Sequence, residues 1–194
     1  MEEVIHPSNR KTIVLVGMMG AGKTTTGFGL AQRLGIKFVD SDREIEKLEN
    51  KTATQIFEEK GEEYFKTVER KVISKILNSP QSQVLSIGGN AFDDDVIRHK
   101  IKEKAVSIFL EVDLDVLLKR VERRNNRPVL ENGDKVKIMT DIYNQKMEVY
   151  SKADISVNTT FLNKETTINV IIKLLMDYIK NFDPKKAAEK GDEN

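Results

Sequence analysis

The feature that most constrains this chain is a glycine-rich segment near its N-terminus, Gly17-Met18-Met19-Gly20-Ala21-Gly22-Lys23-Thr24. It has the form G-x-x-x-x-G-K-T, in which glycines let the backbone approach an anion closely and the N–H groups that open the next helix point at that anion. The lysine supplies a positive charge at the terminal phosphates of a nucleotide, and the threonine hydroxyl is a ligand for Mg²⁺. The segment therefore predicts a nucleotide-phosphate site.

Both flanks of this loop fit the prediction. The β-branched run Lys11–Val16 before it is typical of a buried parallel strand, and Leu30, Ala31 and Leu34 after it recur at helical spacing. The alternative is a glycine-rich turn that carries a lysine by coincidence, and that alternative requires neither flank. The order of strand, loop and helix favours the phosphate site.

Strand and helix patterns alternate along the rest of the chain. Further strands are predicted at 38–39, 83–87, 105–110 and 155–158, and helices at 42–48, 54–61, 65–77, 113–123 and 166–178. The helix at 54–61 has a capping pattern at Thr54 and a suitable end at Gly61. Alternating units predict an α/β fold, with a parallel sheet covered by helices on both faces. Functional residues of such folds gather at the carboxyl ends of the strands.

The composition restricts the partners and the compartment. The 194 residues carry a formal net charge of +1, which gives no basic field for nucleic acid, and no Cys, which excludes disulfides and thiolate metal sites. No apolar run approaches the length of a membrane span, and residues 1–10 lack the apolar core of a secretory signal. We expect a cytoplasmic protein with a flexible segment 1–10, a single domain 11–182 and a polar, disordered tail 183–194.

Two carboxylates follow the second predicted strand, in Phe38-Val39-Asp40-Ser41-Asp42. Since alternate residues of a strand face the same way, both side chains are predicted to face one cleft. Asp40 is then a candidate to bind Mg²⁺ beside Thr24, and Asp42 is a candidate to accept a hydrogen bond from a substrate hydroxyl and to act as base. The alternative is a structural role, in which Asp42 caps the following helix. The phosphate loop beside them favours the functional interpretation.

Two further candidates are Gly88-Gly89, at another strand end, and Arg127, in a basic stretch. Gly88-Gly89 follows the strand at 83–87, where a plain turn is the alternative. Arg127 lies in a polar, basic stretch, and a mobile segment that carries an arginine can close over a nucleotide and neutralise charge on the transferred phosphoryl group. The alternative is a solvated helix end, where cations are favourable, and for Arg127, which precedes Pro128, the functional interpretation is preferred. Phe57 and Phe65 are predicted to belong to the core.

These residues, taken together and in this order, resemble the shikimate kinase family, small kinases that transfer the γ-phosphoryl group of ATP to the 3-hydroxyl of shikimate. The resemblance runs from about Lys11 to Thr159. The matching segments are Gly17–Thr24, Phe38–Asp42, Ile56-Phe57 with Gly61-Glu62, Phe65–Glu69, Gly88-Gly89, Arg127-Pro128, and Tyr150 leading to Ala153-Asp154. The resemblance implies the three-layer α/β/α P-loop kinase fold of the nucleoside monophosphate kinases, with a five-stranded parallel sheet, a lid at about 120–135 and a substrate-binding segment. It also implies a monomer with Mg²⁺ as cofactor and with ATP and shikimate as partners.

The resemblance implies a role for each matching residue. The implied ATP-binding residues are Gly20, Ala21, Gly22, Lys23, Thr24, Thr25, Arg120, which would stack on the adenine, and Arg127, which would be the lid arginine. The implied metal ligands are Thr24 and Asp40, and the implied catalytic residues are Lys23, Asp42 and Arg127. The implied acceptor-binding residues are Asp42, Lys66, Gly88, Gly89 and Lys146.

Several positions depart from the family's pattern. Lys66 and Lys146 stand where the family has an arginine that binds the acceptor's carboxylate, Asn90 stands where it has a third glycine, and Phe28 stands where it commonly has arginine. Lysine keeps the charge but lacks the planar two-donor fork of arginine. Asn90 adds a side chain where the family leaves open space.

Three hypotheses follow from these departures. The chain is a shikimate kinase with a weaker or relaxed acceptor site, a kinase of another small hydroxylated acid, or a catalytically weak nucleotide-binding module with a regulatory or interaction role. Retention of Asp42 disfavours the third hypothesis, because a pure nucleotide switch needs no base on the acceptor side. Cations at both carboxylate-binding positions favour an acidic acceptor.

Overall fold

The structure, a computed structural model, describes residues 12–122 and 135–181. The elements of these residues are, in chain order, β1 (Thr12–Val16), α1 (Lys23–Leu34), β2 (Lys37–Asp40), α2 (Ser41–Glu49), α3 (Ala53–Leu77), β3 (Gln83–Ser86), a short 3-10 helix (Ala91–Asp93), α4 (Asp95–Lys104), β4 (Ala105–Glu111), α5 (Leu114–Glu122), α6 (Lys135–Tyr150), β5 (Ile155–Asn158) and α7 (Lys164–Asn181).

The five strands form one parallel sheet in the order β2-β3-β1-β4-β5. β1 and β3 are buried at every residue, as expected of inner strands with helices on both faces. The connection from β1 to β2 runs toward one edge of the sheet and the connection from β3 to β4 runs toward the other. Since such crossovers are right-handed, α1 and α4 cover opposite faces. The predicted three-layer α/β/α architecture is therefore confirmed.

The boundaries of several helices differ from the sequence prediction. The cap of α3 is Thr52, whose hydroxyl accepts from the Gln55 N–H, while the Gln55 side chain accepts from the Thr52 N–H; the predicted start at Thr54 is therefore wrong by two residues. Gly61 interrupts α3 with φ 80°, so the predicted helix end there is a break within a longer element. α4 and α6 were not predicted, although Asp94 caps α4 through two backbone N–H groups.

A small second core joins α2 to α3, apart from the main core of the sheet. Its buried residues are Ile45, Ile56, Phe65, Val68 and Val72. The prediction that Phe57 belongs to the core is wrong, because Phe57 is 40% exposed and stacks on Phe65 with ring centroids 4.4 Å apart. Ile56 and Phe65 are buried in this second core, whereas the Phe57 ring stays open to solvent on one side.

Some predictions concern residues that the structure does not describe. These are the segment 1–10, the tail 183–194, and Arg127 with residues 123–134 of the predicted lid. In the described part of the chain, none of the helices has both the length and the apolar character that crossing a membrane requires.

Candidate active site

The phosphate loop connects β1 to α1, and its glycines adopt conformations that other residues avoid. Gly17 has φ 140°, and a Cβ added there would lie 2.8 Å from the carbonyl oxygen of Leu110 in β4. Gly22 caps α1 with φ 91°. Both glycines let the chain turn sharply from the strand into the helix, so the backbone N–H groups at the start of α1 are available to an anion.

Lys23, the first residue of α1, folds back over this loop. Its ammonium group donates to the carbonyl oxygens of Gly17 at 2.7 Å and of Met18 at 3.2 Å. A positive charge is therefore fixed at the mouth of the loop, where the terminal phosphates of a nucleotide are expected.

Thr24 and Asp40 converge beside the loop. The Thr24 hydroxyl donates to Asp40 Oδ2 at 3.0 Å, which joins the start of α1 to the end of β2. Asp40 is also the cap of α2, accepting from the Arg43 N–H at 3.5 Å. The cap of α2 is therefore Asp40 and not Asp42, the alternative considered from the sequence.

The donor chemistry of this pair fits Mg²⁺. Mg²⁺ prefers hard oxygen ligands, and it is commonly bound by one or two protein oxygens with water and substrate phosphates as the remaining ligands. The Thr24 hydroxyl and the Asp40 carboxylate are oxygen donors beside a phosphate loop. Within residues 12–122 and 135–181, no three His, Cys, Asp or Glu side chains group as an all-protein metal site.

The phosphate loop shares one cavity of about 310 Å³, at the carboxyl ends of β1, β2 and β3, with three of the predicted acceptor residues, Asp42, Gly88 and Gly89. Its lining residues are Met19, Gly20, Gly22, Lys23, Thr24, Thr25, Asp40, Asp42, Ala53, Phe57, Phe65, Glu69, Ser86, Ile87, Gly88, Gly89 and Asn90. The predicted clustering at one edge of the sheet is therefore present. Ala21, which belongs to the loop, is buried and is not among these lining residues.

Asp42 faces the cavity, but it does so from a helix. Asp40 and Asp42 both line the cavity, as expected. The reason given for it, the alternation of side chains along a strand, is wrong, because Asp42 is the second residue of α2. Ser41, before it, is buried and accepts from the Gly88 N–H at 3.2 Å, which fastens α2 to the end of β3. Burial among protein atoms and the Asp40 charge raise the pKa of Asp42, while the Lys23 charge opposes them.

Glu69 is a candidate functional residue to which the sequence analysis gave no role. It lies on α3, is 5% exposed and lines the cavity. Burial, together with the Asp42 and Asp94 carboxylates, raises its pKa to about 7. The signal in the sequence is its position four residues after Phe65, on the apolar stripe of α3, where a carboxylate is costly without a purpose.

Gly88 allows the Asp42 and Glu69 carboxylates to approach the same point. A Cβ added to Gly88 would lie 2.9 Å from Asp42 Oδ1 and 3.0 Å from Glu69 Oε1. Gly88 is therefore more than a turn residue, because a side chain there would collide with both carboxylates.

Gly88→Ala is expected to lower kcat/KM for the acceptor by about 10²-fold, because displacement of a reacting group by about 1 Å can have an effect of that size. The KM for ATP should change little. The comparison variant is Gly89→Ala, whose added Cβ would meet the Tyr150 hydroxyl at an ordinary 3.7 Å and whose loss should be smaller. Steady-state kinetics of both variants test this, and equal losses would contradict the steric account.

Glu69→Gln is expected to change how stability depends on pH. Because the folded-state pKa of Glu69 is about 7 against an ordinary 4.5, the folded protein keeps a proton that the unfolded chain releases. The free energy of unfolding should therefore fall as pH rises from 4.5 to 7. Glutamine removes this loss, and the variant should be more stable than the wild type at pH 8 by on the order of 3 kcal/mol. Urea unfolding at several pH values measures it; an unchanged slope would show that Glu69 titrates normally.

The two lysines of the acceptor side are each paired with carboxylates outside the cavity lining. Lys66 Nζ lies 2.9 Å from Glu62 and 3.4 Å from Glu63, and its side chain is 41% exposed. Lys146 pairs with Asp93 and is only 13% exposed. Among the described residues these two do not line the cavity, although the charges of both act on Glu69.

Helix α6 also contacts the loop that follows β3. The Tyr150 hydroxyl donates to the carbonyl oxygen of Gly89 at 2.7 Å, and Tyr150 is 1% exposed. Asn90 has φ −93° and is exposed at the cavity. Because this backbone conformation is open to any residue, the side chain of Asn90 costs no strain where the family has glycine.

The predicted nucleotide-side arginines are placed only in part. Arg120, on α5, donates to the carbonyl oxygen of Gly20 at 3.3 Å and so lies against the phosphate loop. Its contact with an adenine stays a prediction. Arg127 lies outside the described residues.

Comparison with known proteins decides the family. The sequence model of the shikimate kinase family (SKI) matches residues 19–176. The shikimate kinase of Rhodopseudomonas palustris is 38% identical over 177 residues, which are 91% of this chain and 87% of the relative. The shikimate kinase of Ruegeria pomeroyi is 45% identical over 147 residues, which are 76% of this chain and 75% of the relative. The chain belongs to the shikimate kinase family.

Solved structures agree with the shikimate kinase assignment. Shikimate kinase from Acinetobacter baumannii, in complex with shikimate, has a TM-score of 0.82 and 31% identity, covering 89% of this chain and 96% of that chain. A gluconokinase from Sinorhizobium meliloti, with a TM-score of 0.58 and 15% identity, covers 90% of this chain and 97% of that chain and shares the fold. Membership of the shikimate kinase family implies ATP-dependent kinase activity.

Proposed function

We propose that this chain transfers the γ-phosphoryl group of ATP to the 3-hydroxyl of shikimate. The observation that carries the proposal is that Asp42 lines the same cavity as Lys23 and Thr24, so an acceptor-side carboxylate faces the phosphate loop. The shikimate kinases among its relatives, one of them solved in complex with shikimate, support this acceptor.

On the donor side, the proposed contacts of ATP are the phosphate loop and two arginines. The backbone N–H groups of Gly20 to Thr25 cradle the phosphates, and the Lys23 ammonium neutralises charge on the transferred group. Arg120 stacks on the adenine, and Arg127 closes over the nucleotide from the lid. The position of Arg120 against the Gly20 carbonyl supports the first of these two arginine roles.

Thr24 and Asp40 are the proposed ligands of Mg²⁺, and their 3.0 Å contact supports that assignment. When bound, the metal supplies positive charge that offsets the developing charge on the phosphate oxygens.

On the acceptor side, Asp42 is the proposed base. It accepts the proton of the 3-hydroxyl while the hydroxyl oxygen forms a bond to the γ-phosphorus and the bond between that phosphorus and its bridging oxygen to the β-phosphate breaks. ADP leaves, and the proton stays on Asp42. Gly88 and Gly89 let the acceptor approach closely, and Lys66 and Lys146 attract its carboxylate as point charges.

A second candidate function is phosphorylation of another small hydroxylated acid. The observation that favours it is that Lys66 and Lys146 both pair with the protein's own carboxylates. The remaining alternative is a catalytically weak nucleotide-binding module. A module of that kind has no need for a carboxylate at the position of Asp42, opposite the phosphate loop. The proposed working form is a cytoplasmic monomer, whose formal net charge of +1 offers nucleic acid no basic field.

The test is a coupled assay of ADP release with Mg²⁺ and ATP, run with shikimate, quinate, gluconate or no acceptor. The proposed function predicts ADP release that depends on shikimate and exceeds release with the other acids. Greater release with another acid supports the second candidate. ATP binding, seen by calorimetry, with no response to any of the three acids would contradict the proposed function and favour the nucleotide-binding module.

A further inference from the structure

Helix α6 contacts the acceptor loop, residues 88–93, at two points one helical turn apart. Tyr150 donates to the carbonyl oxygen of Gly89 at 2.7 Å, and Lys146, four residues earlier on the same face, pairs with Asp93 at the end of the 3-10 helix. The first contact fixes the backbone of the loop beside the cavity. The second contact holds the Lys146 ammonium group of α6 against the same loop.

Lys146 depends on this partner more than an ordinary surface lysine would. Its side chain is 13% exposed, and burial lowers its pKa, while the charge of Glu69 acts in the opposite direction. Because an ammonium ion out of water needs hydrogen-bond acceptors to remain charged, the Asp93 carboxylate, itself 35% exposed, keeps the cation in place beside Glu69. An ammonium group has three donors, so one bond to Asp93 leaves others for an acceptor.

The lysine at this position differs from arginine in a way that makes an anchor useful. Arginine presents donors in a rigid fork, whereas lysine is a point charge on a flexible four-carbon stem. An ion pair that immobilises the ammonium group removes part of the entropy that binding a carboxylate would otherwise cost. Within residues 12–122 and 135–181, Lys66 has no comparable anchor, since its partners Glu62 and Glu63 lie on its own helix and its side chain is 41% exposed.

We propose that Asp93 is a positioning residue, which fixes the ammonium group of Lys146 beside the cavity for the carboxylate of an acidic acceptor. Arginine is preorganised by its own rigid side chain, whereas Lys146 is held in position by the carboxylate of a second residue, Asp93. This inference rests on the proposed function, because it requires an acceptor that bears a carboxylate.

The test is a double-mutant cycle of Asp93→Asn and Lys146→Met, assayed with shikimate. Asp93→Asn alone should raise the KM for shikimate about tenfold while kcat and the KM for ATP change less than about twofold. In the Lys146→Met background the same substitution should have little further effect, because Asp93 acts through Lys146. A purely structural role would lower kcat or the thermal midpoint instead of moving this KM alone. The control is Asp95→Asn, at an 83% exposed carboxylate that pairs with Arg98 on its own helix.

Three outcomes overturn the inference. A lower KM in Asp93→Asn would mean that Asp93 competes with the acceptor for Lys146. An unchanged KM would mean that the ion pair does not affect acceptor binding. A full effect of Asp93→Asn in the Lys146→Met background would mean that Asp93 does not act through Lys146. Turnover of shikimate by the wild type distinguishes these outcomes from failure of the proposed function. If the wild type does not turn over shikimate, both the proposed function and this inference are wrong. If Asp93→Asn does not fold, Asp93→Ser gives the same cycle.

Discussion

Asp42→Asn lowers the rate of shikimate phosphorylation by about 10² to 10⁴-fold, the range for loss of a general base. Asparagine keeps the size of the side chain and can still accept a hydrogen bond, but it cannot take the proton of the acceptor hydroxyl. ATP binding should stay within about twofold, because Asp42 faces the cavity from α2 and the phosphates bind to the loop before α1. Single-turnover kinetics and calorimetric titration with ATP measure the two effects separately.

The control for Asp42→Asn is Asp177→Asn, which makes the same chemical change at an exposed position on α7. It should leave both the rate and ATP binding unchanged. Near-normal turnover in Asp42→Asn would mean that positioning alone accounts for the acceptor side and that the base assigned here is wrong.

Lys23→Ala is the second variant with a large expected effect. Loss of its ammonium group removes a fixed charge from the transition state, which lowers kcat by about 10² to 10³-fold. It also removes the hydrogen bonds to the carbonyl oxygens of Gly17 and Met18, so the loop loses the side chain that ties it together. We therefore expect weaker ATP binding as well, in contrast to Asp42→Asn. Kinetics and ATP titration of the same preparation measure both effects.

Lys173→Ala, at an exposed position on α7, is the control for Lys23→Ala. Unchanged kcat in Lys23→Ala, with only the affinity for ATP reduced, would assign Lys23 to nucleotide binding alone. The pair of active-site variants thus separates the donor half of the site from the acceptor half.

Much of the fold follows from local patterns in the sequence. The five strands are predicted at nearly their observed positions because each contains a short apolar core, which is continuous and mostly β-branched in β1 and only two residues long in β2 and β3. The phosphate loop is predicted because glycines, lysine and threonine at fixed spacing have separate physical roles. α4 was missed because its buried face consists of only Ile97 and Ile101 within a mostly charged segment. A stripe that thin is a weak signal of helical periodicity.

The candidate site was predictable only where its chemistry is local. Asp40 and Asp42 were found because they follow a strand, although Asp42 reaches the cavity from a helix. The environment of Glu69 was not predictable, since its raised pKa comes from burial and from Asp42, which is distant in sequence. The pairing of Lys146 with Asp93 likewise joins α6 to the acceptor loop across dozens of residues, and no spacing rule connects such positions.

The most direct measurement of the central claim is identification of the product by ³¹P and ¹H NMR after incubation with ATP, Mg²⁺ and shikimate. We predict one new phosphomonoester signal, coupled to the proton on C3 of shikimate, that grows as ADP accumulates and grows at least about 10²-fold more slowly with Asp42→Asn. Accumulation of ADP with free phosphate and unmodified shikimate, or a phosphoryl group on another hydroxyl, would contradict the account.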